Sequence, residues 1–236
     1  MLFPWVGALE QAMLADVYVY YDDVLFSKGS FVNRVQIKTT SGSRWLTVPI
    51  RGPRAGRTIA ELQIDETQDW RARHLGQLRQ AYAAAPHIDE MLALVDRVYA
   101  SRSADLASLV IDAFEAVLEY LGLEGGVSTM RSSVLEVGGS GWERILDIVR
   151  RLGATDYVTG HGGARYLDHE LIERAGVSVR YMDYERTPYP QQHEGFDPYV
   201  SILDLIANVG PDARRYLRPR TVGWRTFVGA PSRGQA

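Results

Sequence analysis

VYVYYDD, residues 17–23, is the stretch on which the fold turns. Five consecutive apolar, β-prone side chains without polar alternation describe a strand covered on both faces, as in the parallel sheet of an α/β protein. The run ends in two carboxylates, Asp22 and Asp23. Upstream, Val6, Leu9, Met13 and Leu14 share one helical stripe, so residues 5–15 read as a helix. Far downstream, helix 142–152 leads into the strand YVTG, the loop GHGGARYLD, helix 168–175 and the strand VSVRYMDY. That order is the order of a strand–helix–strand crossover.

Between these parts, residues 31–38 alternate in polarity and WLTVPI (45–50) reads as a further strand. The middle is helical, over 68–85, 89–100 and 104–121. The last of these carries Leu106, Leu109, Val110, Ala113, Phe114, Val117 and Leu121 on one face, with Gly122 placed to stop it. Residues 123–141 form a loop around a short strand, and another helix lies near 199–208. The expected fold is α/β: a mostly parallel sheet with flanking helices and a helical segment over about 68–122. It forms one domain over 1–217, and 218–236 is a flexible, Arg-rich tail.

Composition narrows the function classes. With 236 residues and 46% hydrophobic content, the chain can bury one sizeable core. A net charge of −3 gives no global basic field for nucleic acid or an anionic membrane. No run of 18 apolar residues exists and no signal-peptide pattern opens the chain, so a cytoplasmic protein that enters no membrane is expected. The absence of cysteine removes disulfides, thiolate nucleophiles and Cys-ligated zinc. Only two of the 26 basic residues are lysine, Lys28 and Lys38, and both fall within residues 21–38 beside Asn33. Where arginine serves everywhere else, a retained lysine points to a place fitted to a compact ammonium.

Ligands of open parallel sheets bind at the carboxyl ends of strands. Three strands here end in polar groups: Asp22–Asp23, the loop beginning at Gly160, and Asp183. One of the paired aspartates suits a base, hydroxyl acceptor or metal ligand, while the other suits a turn cap. Asp22 or Asp23 is expected to share one cleft with Lys28. Lys28, Arg34 and Lys38 suit an anion clamp, or else plain solvated strand charges. Gly160, Gly162 and Gly163, with His161, Tyr166 and Asp168, could bring backbone N–H groups to an anion, or form a tight turn capped by Asp168. His74 shares a stripe with Trp70, Leu78 and Ala81, which suits either packing or catalysis. The spacing of the histidines matches no metal motif, so no dedicated metal site is expected.

The ordered blocks FPWVGALEQAMLADVYVYYDDVLFSKGSFVNRVQIKT, WLTVPI, WRARHLGQLRQAY, GATDYVTGHGGARYLD and YPQQHEGFDPYVSILDLIANVGP resemble the WbqC-like family over roughly residues 3–211. The resemblance implies a bacterial cytoplasmic protein of surface-polysaccharide synthesis that moves glycine or a similar aminoacyl group onto a sugar. It carries over membership of the matching blocks for Asp22, Asp23, Lys28, Asn33, Arg34, His74, Gly160, Gly163, Tyr166, Asp168 and Asp204, and no agreed catalytic set. Members usually open with a short strand ending in Gln-Pro, whereas this sequence begins inside the following block. Either its start lies further upstream or that strand is missing, which would leave Val17–Tyr21 short of one neighbour.

The leading expectation is an acyl- or aminoacyl-transferase acting on an activated sugar, in which Asp22 or Asp23 deprotonates the acceptor and Lys28, Asn33, Arg34, Lys38, Asp183 and the glycine loop hold a nucleotide or nucleotide-sugar. An ATP-using ligase or nucleotidyltransferase comes second, and a non-catalytic partner of glycan assembly third. The residues name no cofactor, and they leave the oligomeric state open.

Overall fold

The computed structural model describes residues 1–27 and 29–230. Lys28 and 231–236 lie outside the described residues, and the expectation placed on Lys28 falls there. Helix α1 (Val6–Met13) precedes β1 (Val17–Tyr20), which pairs in parallel with β4 (Ser128–Arg131). Strand β5 (Asp156–Thr159) pairs in parallel with β6 (Ser178–Met182), and β6 pairs antiparallel with β7 (Thr221–Gly223). The third sheet is the antiparallel hairpin of β2 (Arg34–Thr39) and β3 (Gly42–Thr47).

The α/β class is as expected, but "mostly parallel" holds only for two strand pairs. Residues 31–50 cannot join a parallel sheet as neighbours, because only Thr40 and Ser41 separate β2 from β3, and so short a connection enforces an antiparallel pair. Gly42 closes that turn at φ +98°, a conformation open to glycine.

The helical middle consists of α2 (Trp70–Ala81), α3 (Ile88–Ala100) and α4 (Leu106–Tyr120). Asp105 starts α4 by accepting from the Ser108 N–H at 2.8 Å. These helices pack with α7 (Ile202–Val209) and the hairpin into the main core, around Trp70, Tyr82, Ile37, Leu46, Met91 and Leu106. α7 is buried from Ile202 to Ala207, and the chain start lies against it: Ser201 Oγ donates to the Phe3 carbonyl at 2.8 Å.

A second, smaller apolar cluster joins α5 (Gly141–Arg151), α6 (His169–Arg174), β5 and β6. Part of the segment read as a flexible tail contributes to it. Residues 221–229 form β7 and α8 (Trp224–Gly229), Phe227 stacks on Tyr181 with ring centroids 4.2 Å apart, and Arg225 grips Glu173 through two nitrogens. The arginines hid this order, because two of them are paired outward while Trp224 and Phe227 face the cluster.

Candidate functional site

The two parallel pairs leave a cleft of about 540 Å³ between β1 and β5, lined below by Ile145, Ile148 and Val149 of α5 and at its mouth by Tyr21, Tyr157 and Tyr166. Beside that mouth stand the carboxyl ends of β1 and β4, where a cluster of polar side chains forms.

Asp22 is 3% exposed, and its carboxylate is filled. Arg131 Nε donates to one oxygen at 2.6 Å, and Ser133 donates through its hydroxyl at 2.9 Å and its N–H at 3.0 Å. Burial pushes this carboxyl up, but the bonds from Arg131 and Ser133 outweigh it and hold it below the usual carboxylate range. Asp22 is therefore an ionised anchor between β1 and the turn after β4, and the role of free base expected for it is not open. Ser132 Oγ accepts from the Asp22 N–H at 3.2 Å and donates to Asp23 at 2.5 Å. Asp23 also receives Arg144 Nη2 at 2.5 Å, and the Arg144 guanidinium lies 4.9 Å from the Tyr21 ring centre. Arg131 spends only Nε on Asp22, its side chain is 34% exposed, and its two terminal nitrogens have no partner among the described residues.

The loop after β5 borders the same mouth through Tyr166, which lines the cleft together with Tyr157. Burial raises the pKa of both phenols, so they remain protonated donors at neutral pH. None of Gly160, Gly162 and Gly163 has a positive φ, so the loop lacks the left-handed backbone of an anion nest. Gly163 is required for packing: a Cβ there would come within 3.0 Å of Thr159 and Leu167. His161 points its Nε2 at the Met182 carbonyl, 2.8 Å away, and Asp168 caps α6 by accepting from the Leu171 N–H at 3.0 Å. A shallower hollow of about 510 Å³, with Trp142, His169 and Trp224, lies on the other side of Tyr166.

The remaining candidates stand elsewhere. Asp183 faces Arg220, 3.6 Å away across β6 and β7. Asn33 Nδ2 donates to the Val48 carbonyl inside the hairpin, and Arg34 bonds the Gly29 carbonyl while covering Trp45. Lys38 is buried: its amine donates to Gln191 Oε1 and the His193 carbonyl, each at 3.1 Å, and to the Gly195 carbonyl. Arg34 and Lys38 thus form no common anion clamp. A planar fork would not fit the cage of Lys38, so its retention has a structural cause. His74, 2% exposed, sits between the Tyr99 hydroxyl and the Thr47 carbonyl, and burial lowers its pKa to about 4. Among the described residues no group of three or more His, Asp or Glu could hold a metal ion, and no helix is long and apolar enough to cross a membrane.

Arg131, Ser132, Ser133 and Arg144 were missed by the sequence reading. Arg131, Ser132 and Ser133 share one linear signal, the Arg-Ser-Ser run at the end of the four-residue β4, which acquires meaning once β4 is known to lie beside β1, and Arg144 has none.

The sequence profile of the WbqC-like protein family matches residues 1–216. The protein named Uncharacterized protein Rv1507c, from Mycobacterium tuberculosis, is 33% identical over 218 residues, which cover 91% of this chain and 93% of that protein. No solved structure matches the chain.

Proposed function

Since the chain belongs to the WbqC-like protein family, we propose that it is a cytoplasmic transferase of bacterial surface-polysaccharide synthesis that moves an acyl or aminoacyl group, such as glycyl, onto an activated sugar. The observation that supports this reading is the gathering of Arg131, Asp23, Arg144 and Tyr166 at the mouth of the β1–β5 cleft. Ligands of open α/β sheets sit at that end of the strands. The free terminal nitrogens of Arg131 meet the phosphates of the nucleotide-sugar as a fork. Tyr21 and Tyr166 offer ring faces and hydroxyls to the sugar.

Asp23 is 27% exposed, and each of its oxygens keeps a lone pair beyond its bond to Ser132 or Arg144. It takes the proton of the acceptor hydroxyl or amine as that group attacks the carbonyl of an activated acyl donor, whose activating group leaves as the tetrahedral intermediate collapses to the new ester or amide. Asp22 holds Arg131 in place. The test is equilibrium binding of labelled ATP against a panel of nucleoside-diphosphate sugars. Binding of a nucleotide-sugar, weakened at least about tenfold in Arg131→Gln, supports the reading. Binding of ATP alone overturns it in favour of a ligase-like enzyme. Absence of all nucleotide binding overturns it in favour of a non-catalytic partner.

A further inference from the structure

From Val24 to Ala60 the sequence holds seven basic residues and not one Asp or Glu. The rest of the chain is left with 19 of the 26 basic residues against all 29 acidic ones. A net charge of −3 therefore hides a basic segment set in an acidic molecule.

The fold gathers much of that charge onto one lobe. Residues 24–34 and 48–58 run side by side: the Phe26 N–H donates to the Arg57 carbonyl at 2.9 Å, and the Val48 N–H to the Asn33 carbonyl at 2.8 Å. Leu25 bridges to Thr58. The connection 51–57 is exposed at every residue. Its three guanidinium groups, on Arg51, Arg54 and Arg57, make no ion pair and no side-chain hydrogen bond among the described residues. The carboxylates that act on Arg57 and Arg51 at longer range, Glu61 and Asp65, are bonded to Thr58 and Thr67. Arg34 adds a fourth guanidinium, 4.2 Å over the Trp45 ring.

Two large apolar side chains stand out among these charges. Leu25 is 66% exposed, and Phe31, whose ring centre lies 5.5 Å from that of Trp45, is 51% exposed. Arginines that no carboxylate neutralises, set around apolar side chains left in water, match a surface that offers phosphates and hydrocarbon together. A nucleic acid would use the arginines through its phosphates and leave Leu25 in water.

We infer that the lobe of residues 24–34 and 48–58 docks on an anionic phospholipid bilayer. Arg34, Arg51, Arg54 and Arg57 meet the lipid phosphates, while Leu25 and Phe31 reach the boundary of the acyl region. The chain lies on the membrane and does not cross it. The lobe adjoins the cleft mouth, because the Ala60 N–H bonds the Asp22 carbonyl at 2.9 Å, so docking keeps that mouth near the bilayer.

The experiment is co-sedimentation of the whole chain with vesicles of phosphatidylglycerol and phosphatidylcholine in equal parts, and with vesicles of phosphatidylcholine alone. Binding is expected to the anionic vesicles only and to weaken as salt is raised. Combined Arg51→Gln, Arg54→Gln and Arg57→Gln should weaken it on the order of a hundredfold, and Leu25→Ser with Phe31→Ser at least about tenfold. Because the chain has no cysteine, an environment-sensitive dye on Leu25→Cys gives a readout that needs no arginine variant. Its emission should shift to the blue on addition of anionic vesicles, while the same dye on Val228→Cys, on α8, should not respond. No binding to either vesicle, equal binding to both, or full binding by the arginine variant overturns the inference. So does a dye response at Val228 and none at Leu25, or binding to duplex DNA without binding to vesicles. No nucleotide or sugar is used, so the outcome is independent of the functional reading.

Discussion

His74→Gln should flatten the acid limb of the protein's stability curve. His74 is almost fully buried, and its pKa falls from 6.5 to about 4 because burial disfavours the imidazolium. A group depressed on folding contributes stability that is present above its unfolded pKa and lost as pH falls towards its folded one. The window therefore runs from about pH 6.5 down to about 4. At about 1.4 kcal/mol per pKa unit, the whole loss is about 3 kcal/mol, and about 2 kcal/mol of it falls between pH 7 and pH 5. The other histidines and the carboxylates also titrate, so the quantity to read is the difference between wild type and variant. Glutamine keeps a polar group for Tyr99 and Thr47 but binds no proton. Urea unfolding at pH 7, 6 and 5 should show wild type losing about 2 kcal/mol more than the variant. Equal losses would refute the buried, neutral histidine. A variant that keeps its fold but loses turnover would return His74 to the catalytic role expected from the sequence.

Replacing Lys38 by methionine should cost about 2–3 kcal/mol, because Gln191 Oε1 and the His193 and Gly195 carbonyls are left without their buried donor. Thermal melting tests this, and a shift under about 3 °C would contradict it. Gly210→Ala should destabilise by more than about 2 kcal/mol, since φ is +56° and a Cβ would lie 2.3 Å from His87 Nδ1. Gly162→Ala, with nothing within 4 Å of the added carbon, should leave the melting temperature unchanged, so any loss of ligand affinity in that variant reports on the loop itself.

Much of the fold was legible because its signals are local. The stripe of Leu106, Leu109, Ala113, Phe114 and Val117 marks α4, and the unbroken apolar run at Val17 marks β1. Partnership between strands is a non-local property, so the pairing of β1 with β4, more than a hundred residues away, left no periodic trace. The hairpin, by contrast, is a local pair: both of its strands were read from the sequence, and the two-residue connection at Thr40 and Ser41 was the signal that they form a separate antiparallel sheet. The candidate site was half legible. Asp22 and Asp23 stand at a strand end as expected, but which of them is filled depends on Arg131, Ser132, Ser133 and Arg144, all brought in from distant sequence. Lysine scarcity marked a special environment at Lys38 without telling a buried cage from a ligand site.

The most direct test of the account is a crystal structure of the protein soaked with the nucleoside-diphosphate sugar that binds best. The account predicts the diphosphate within about 3 Å of the Arg131 terminal nitrogens, with the sugar beside Asp23 and Tyr166. A diphosphate seated in the hollow of Trp142 and Trp224, or at Arg34 and Lys38, with the mouth of the β1–β5 cleft empty, would contradict it.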